Sequence, residues 1–216
     1  LMLDHQGSPL DIAALCQKAE HRATGVPCGI MDQLTIAAGI AGHALMIDCH
    51  QLHILPVPVP DDVEIVIVHS GQHRELVTSD YGLRRAQCEA AEDLIGPLRL
   101  ASSDEVDEID DPVLQARARH VVTENKRVSI FAEALKAGDY SEAGQQMRDS
   151  HKSLGRDFEV STLALDALVD DLVSVPGVYG ARLTGAGFGG AVVALARPGT
   201  LSRGFVVRAS AGARVL

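Results

Sequence analysis

The feature that most restricts the fold of this chain is a glycine-rich loop near its end. Four of the seven residues from Thr184 to Gly190 are glycine, and they satisfy the spacing GxGxxG. In dinucleotide-binding folds that spacing begins a helix, whose amino terminus holds a pyrophosphate. Here the loop leads into the apolar run 191–195, which predicts a strand, and no acidic residue follows to hold a ribose. The sequence therefore excludes that fingerprint. Two interpretations remain: a loop whose backbone approaches a ligand, or a turn that needs glycine for geometry alone.

Helical periodicity accounts for much of the remaining chain. Apolar residues spaced alternately by four and three predict a long amphipathic helix over 112–136, with Asp111 before Pro112 at its start and Gly138 after its end. Shorter patterns predict further helices over 10–21, 29–37, 79–94, 141–151 and 161–173.

Short apolar runs predict strands at 44–47, 52–55, 63–68, 191–195 and 205–208. Prolines at 56, 58 and 60 interrupt this pattern, because proline cannot donate to a strand ladder, and we place a domain boundary there. The helices are grouped between strands and do not alternate regularly with them. This order predicts an α+β fold.

Composition excludes several classes of protein. The net charge is −10 without any Lys/Arg-rich run, so we expect no nucleic-acid partner. The four cysteines form no CxxC pair, which argues against a disulfide scaffold or a zinc cluster and favours a cytoplasmic protein. No apolar run approaches the roughly 20 residues that cross a bilayer, so we expect no membrane contact. The acidic stretch 103–111 predicts a solvated linker.

A carboxylate begins the second predicted helix. Asp32 follows a loop that contains Gly25, Pro27 and Gly29. Aspartate is common at helix starts because it caps free backbone N–H groups, and a carboxylate in this position is also suited to proton transfer. The residues alone leave both interpretations open.

Two segments carry a resemblance to a known family. The segment 25–33 is similar to the active-site segment of the galactokinases, and 179–190 resembles the third motif of the GHMP small-molecule kinases, to which galactokinases belong. The stretches 79–89, 119–120, 123–125 and 150–151 also resemble galactokinases in order and separation. The resemblance covers nearly the whole chain. It implies a GHMP-kinase-like, two-domain α+β architecture, with a partial amino-terminal domain over 1–58 and a ferredoxin-like carboxy-terminal domain over 59–216.

The resemblance also implies a function. It is that of an ATP-dependent sugar kinase that phosphorylates galactose at its anomeric hydroxyl, as a monomer or weak dimer. Asp32 resembles the catalytic aspartate of the family and contacts the sugar. Gly29 and Tyr81 match sugar-binding positions, and Gly185, Ala186 and Gly187 match a loop near sugar and phosphate. The alternatives are a kinase for a related sugar, such as arabinose or N-acetylgalactosamine, and a non-catalytic sugar sensor.

The chain departs from the family in two places. The family's earlier motifs, which carry a supporting arginine, a phosphate-binding loop and the Mg²⁺ ligands, have no counterpart here. We therefore assign no metal site to this chain and expect it to be inactive alone. Near the end, residues 196–204 replace a helix of the family. A parallel crossover needs a dozen or more residues, so either the flanking strands pair as a hairpin or a segment is absent, and we expect the latter.

Overall fold

The computed structural model of the protein describes residues 7–25, 28–72 and 77–213. Its contacts divide the chain into two compact units, residues 1–59 with 208–216, and residues 60–207. Helices and strands are mixed, which confirms the α+β class. None of the described helices is long and apolar enough to cross a membrane. The elements are α1 (Pro9–Thr24), α2 (Met31–Ala38), β1 (His43–Asp48), β2 (His53–Pro58), β3 (Glu64–His69), α3 (Val77–Ile95), α4 (Ser103–Asp107), α5 (Pro112–Ala137), α6 (Tyr140–Arg156), α7 (Leu163–Val173), β4 (Val178–Thr184), β5 (Ala191–Ala196) and β6 (Phe205–Val207).

The first unit joins two helices to an antiparallel hairpin. α1 begins with a capping box in which Ser8 and Asp11 exchange hydrogen bonds, and it ends at Gly25 in the left-handed conformation, with φ +70°. β1 and β2 pair along their whole length, from His43 opposite Pro58 to Asp48 opposite His53.

The predicted interruption at Pro56 and Pro58 is wrong, because both prolines belong to β2. Val59 donates its N–H to the Gly42 carbonyl at the start of β1. Neighbouring residues of a strand direct their N–H groups to opposite sides, so the two prolines place their nitrogens on the side away from β1. A strand tolerates proline where no ladder hydrogen bond is required.

The residues after β6 return to the first unit. Gly212 donates its N–H to Gly39 at 2.7 Å, and Ala213 donates to Ile36 at 2.8 Å, so the tail lies along the end of α2. A Cβ at Gly39 would lie 3.0 Å from the Ser210 carbonyl oxygen. The sequence gives no sign of this return, because it depends on backbone contacts between distant segments.

The second unit contains a four-stranded antiparallel sheet in the order β4-β5-β3-β6. β3 lies in the middle and pairs with two strands, with Glu64 opposite Ala196 of β5 and Ile65 opposite Val207 of β6. β5 and β6 therefore run parallel on either side of β3. The hairpin alternative for the segment between them is wrong, and residues 197–204 contain no helix.

The long helix α5 has both of its predicted caps. The Asp111 side chain accepts the N–H groups of Val113 and Leu114, and Gly138 ends the helix with φ +73°. The stretch 103–111 was predicted to be a solvated linker, but it contains the short helix α4, which begins with a capping box. Val106 and Ile109 are buried against α5. The many acidic residues of the stretch led to the prediction of a linker, although these two apolar residues attach it to α5.

The main core lies between the sheet and α7. Alternate residues of the strands meet the apolar stripe of the helix, which is why the burial alternates along β3 and along the first four residues of β5. The fully or nearly fully buried members are Val66, Val68, Leu154, Val160, Leu165, Val169, Leu172, Ala181, Leu183, Val192 and Ala194.

Two glycines set the distance between α6 and β4. Gly144 and Gly180 face each other so closely that a Cβ on either would overlap the backbone of the opposing element. One turn further along α6, Arg148 donates to the Tyr179 carbonyl. β4 is the outer strand of the sheet, so α6 covers its open edge and supplies partners for its backbone groups.

We expect Gly144→Ala to destabilise the protein by about 2 kcal/mol or more, because the new methyl group meets rigid backbone. Gly155→Ala, on the same helix, is the matched control. Its Cβ would lie 3.7 Å from Ser161, an ordinary contact, and alanine favours the helix, so stability should be unchanged or rise by up to ~1 kcal/mol. Chemical denaturation measures both. Equal stability of the two variants would contradict a tight contact at Gly144.

Candidate active site

Two of the predicted site residues lie in the first unit. Asp32 is the second residue of α2, and its side chain is exposed. The N-cap position belongs to Ile30, and no side chain caps the helix, so Asp32 is not a cap. Its carboxylate lies in the first turn, where the helix dipole favours negative charge. Gly29 is exposed in the loop just before the helix.

Polar side chains of α1 hold that loop. Gln17 Nε2 donates to the Cys28 carbonyl at 3.1 Å, and the His21 ring N–H donates to the same oxygen at 2.8 Å. Gln33 Nε2 donates to Glu20 at 2.6 Å, which joins α2 to α1. These three α1 residues share one helix face because of their i, i+3 and i+4 spacing. Their contacts were not predicted, although that spacing is visible in the sequence.

The other predicted residues lie in the second unit. Tyr81 is half-buried on α3. One turn later on the same helix, Arg84 donates to two carbonyl oxygens, of Phe158 at 2.6 Å and of Glu159 at 3.1 Å. Burial of the Arg84 guanidinium lowers its pKa. The helix that carries Tyr81 is therefore attached to the turn between α6 and α7.

A second arginine holds the same turn from α5. Arg117 is 2% exposed, and it donates to the Asp157 carbonyl, to Gln87 and to the Glu159 carboxylate. The hydrogen bond from Arg117 lowers the pKa of Glu159. Glu159 has φ +54°, a backbone conformation that most residues avoid. The two arginines thus fix a tight turn over residues 157–160, which we call the arginine-held turn.

The glycine-rich loop rests on the arginine-held turn. The Phe188 N–H donates to the Val160 carbonyl at 2.7 Å. Gly187 has φ +82°, and a Cβ there would overlap the same carbonyl oxygen. Glycine at 187 is therefore required by its conformation and by packing within the protein. At the other end of the loop, the Gly190 carbonyl accepts the Ser70 N–H and Oγ, each at 2.8 Å.

The first residues of the loop differ from the last ones. Gly185 is exposed with φ +79°, and Ala186 is half-buried. Within the described part of the chain, the backbone N–H groups of these two residues have no hydrogen-bond partner. Successive free N–H groups beside minimal side chains fit an anionic oxygen. Among the described residues, no group of three or more His, Cys, Asp or Glu side chains lies together as a metal site.

Comparison with known proteins identifies the family. Residues 131–204 match the family model described as GHMP kinases C terminal. The chain is 45% identical over 195 residues to a galactokinase of Chloroflexus aggregans, which is 86% of this chain and 50% of that protein. It is 45% identical over 189 residues to a galactokinase of Homo sapiens, 85% of this chain and 48% of that protein. The crystal structure of Lactococcus lactis galactokinase complexed with galactose has a TM-score of 0.92 and 33% identity, over 98% of this chain and 62% of that one.

Residues 131–204 therefore form part of a GHMP kinase carboxy-terminal domain. The chain spans about half the length of the curated relatives it matches. Tyr81 and the loop residues 185–187 are connected through the arginine-held turn, whereas Gly29 and Asp32 are neighbours in the first unit. Arg84 lies inside a segment that resembles the family, but Arg117 has no such signal, since a sequence does not show which arginines will be buried.

A buried histidine supports the arginine-held turn. The His120 ring stacks on Phe158, with centroids 4.5 Å apart, and its Nδ1 lies 3.0 Å from Ser153 Oγ. Burial lowers the pKa of His120 to about 4, from an ordinary value of 6.5. The ring is therefore neutral in the folded protein at pH 7.

We expect the unfolding free energy to fall as the pH drops from 6.5 to 4. In that window the unfolded chain protonates His120 and the folded protein does not, so protons favour unfolding. His120→Phe keeps a ring against Phe158 but cannot titrate. Between pH 6.5 and 4, the unfolding free energy of this variant should therefore fall less than that of the wild type, by up to about 3 kcal/mol. Urea unfolding at several pH values measures this difference, and parallel curves for the two proteins would rule out a neutral buried His120.

Proposed function

We propose that the protein containing this chain is a galactokinase, which transfers the γ-phosphoryl group of ATP to the anomeric hydroxyl of galactose. The observation that carries the proposal is the agreement with a galactokinase structure along 98% of the chain, at a TM-score of 0.92. The 45% identity to two further galactokinases supports the same substrate class.

Asp32 is the proposed catalytic residue. Its carboxylate accepts the proton of the anomeric hydroxyl while that oxygen bonds to the γ-phosphorus and the bond to the ADP oxygen breaks. The side chain is exposed at the start of a helix that Gln33 and the loop carbonyl of Cys28 attach to α1. A rigid support of this kind suits a group that must meet the substrate in a defined orientation.

The remaining site residues bind substrate. Gly29, through its backbone, and Tyr81, through its phenol, are proposed sugar contacts. The free N–H groups of Gly185 and Ala186 are proposed donors to a phosphate oxygen of ATP, which their donor chemistry fits. Magnesium would neutralise the charge of the transferred group. We name no magnesium ligand among the described residues and assign no step of the reaction to magnesium on this chain.

In the full-length protein, we expect Asp32→Asn to lower kcat by ~10²–10⁴ with a much smaller change in the KM for galactose, since the amide cannot accept the proton. Asp104→Asn is the matched control, because Asp104 is also an exposed aspartate in the first turn of a helix. The assay follows galactose 1-phosphate, with arabinose and N-acetylgalactosamine as competing substrates. Normal turnover by Asp32→Asn would show that Asp32 is not the catalytic residue. If the wild type phosphorylated either competing sugar faster than galactose, that sugar would be the substrate.

A second variant tests the sugar contact. Tyr81→Phe removes one hydroxyl, and we expect the KM for galactose to rise by about fivefold, the effect of about 1 kcal/mol, with the KM for ATP unchanged. Tyr140→Phe removes a hydroxyl that donates to Asp62 at 2.5 Å, and it should leave both constants unchanged. If Tyr81→Phe changed only the KM for ATP, the sugar assignment would be wrong.

A further inference from the structure

The end of β4 is held by a histidine of α6. Leu183, two residues before the glycine-rich loop, directs its N–H away from β5 and donates it to His151 Nδ1 at 3.3 Å. His151 is 7% exposed. This hydrogen bond fixes the strand at the point where the loop begins, and no ligand contact predicted from the sequence involves it.

The same hydrogen bond determines where the imidazole carries its proton. A backbone N–H can only donate, so Nδ1 accepts, and the neutral ring must carry its hydrogen on Nε2. Burial lowers the pKa of His151, although Asp166 beside it acts in the opposite direction. The Nε2 atom is buried and lies 3.2 Å from Asp166 Oδ1, in poor alignment, and no other described group pairs with it.

Asp166 connects this histidine to the support of the loop. The Oδ1 atom that faces His151 also accepts the Ser161 hydroxyl, at 2.5 Å. Ser161 follows Val160, whose carbonyl accepts the Phe188 N–H of the loop. Asp166 Oδ1 therefore belongs to two chains of contacts that lead to the loop. The first runs through His151 to the end of β4, and the second runs through Ser161 to the arginine-held turn.

His151, Asp166 and Ser161 border an open cleft of about 560 Å³. Asp170 lies one turn after Asp166 on α7 and borders the same cleft, but its side chain makes no hydrogen bond or ion pair with another described residue, and it acts on His151 only through its charge. The two aspartates thus share a helix, a cleft and a charge, and they differ in their connection to the loop. This difference supplies a matched pair for an experiment.

We propose that His151 and Asp166 are positioning residues of the glycine-rich loop. His151 fixes the strand end from which the loop departs, and Asp166 fixes the turn on which the loop rests. Neither residue touches substrate in this proposal. The kinetic consequence rests on the proposed kinase function, whereas the effect on loop order does not.

Hydrogen–deuterium exchange of the full-length protein tests the effect on loop order directly. His151→Leu removes the ring nitrogen that accepts the Leu183 N–H, so we expect the Leu183 amide to exchange about tenfold faster, the usual effect of losing one buried hydrogen bond. His151→Asn keeps an acceptor near the position of Nδ1 and should restore slow exchange at Leu183. Asp166→Ala should accelerate exchange at Phe188 severalfold, and Asp170→Ala should change it less than twofold.

Kinetics on the same four variants provide the second measurement. We expect kcat/KM to fall about tenfold in His151→Leu, less in His151→Asn, and not in Asp170→Ala. Equal loop exchange in Asp166→Ala and Asp170→Ala would overturn the proposal. An increase in amide exchange that extends equally over α5 and α6 would also overturn the proposal, because it would mean that the variant destabilises the whole unit. If His151→Leu does not fold, the comparison of Asp166→Ala with Asp170→Ala is sufficient to test the proposal. A wild-type protein that fails to phosphorylate galactose would refute the proposed function while the exchange results still stand.

Discussion

The close contact between α6 and β4 is the interaction on which the rest of the second unit depends. An outer strand presents unpaired backbone groups that would otherwise recruit another strand. Here two facing glycines let the helix approach the strand, and polar side chains of α6 then reach the strand's backbone. The helix acts as the covering layer of that edge. The main core is formed chiefly by α7 with β3, β4 and β5, and α6 contributes Leu154 to it.

The arrangement also explains how a glycine-rich loop is held in one conformation. Glycine gives the backbone freedom, so a loop of this composition needs supports outside itself. The supports come from both sides, from β3 through Ser70 and from the arginine-held turn through Val160. Arg84 and Arg117 hold that turn mainly through backbone carbonyls, whose positions do not depend on side-chain rotamers. The loop is therefore ordered by its neighbours, while the N–H groups of Gly185 and Ala186 find no hydrogen-bond partner among the described residues.

How much of this was predictable depends on how local each feature is. The caps of α5, the strand after the loop and the α+β class follow from short-range pattern, and the structure confirms them. β4 was not predicted, because Gly180 and Arg182 break its apolar alternation, and Gly180 has its reason in the opposing helix. The buried state of Arg117 and the neutral state of His120 depend on partners far away in the sequence. For Asp32 and Tyr81, the spacing of apolar residues predicted only that both lie on helices. Their proposed roles came from resemblance to the family.

The distribution of charge around the loop bears on the proposed contact between the loop and a phosphate. The protein carries a net charge of −10, and the arginines nearest the loop are committed to carbonyl oxygens and to Glu159. Arg182, on the strand that leads to the loop, is paired with Glu124 at 2.8 Å. These cations stabilise the turn and the strand, so they are not available to neutralise a ligand. What the loop offers is backbone dipoles, which attract an anion through orientation without any net charge. Such donors are effective only when their directions are fixed, and so the supports beneath the loop matter as much to the proposed phosphate contact as the loop itself.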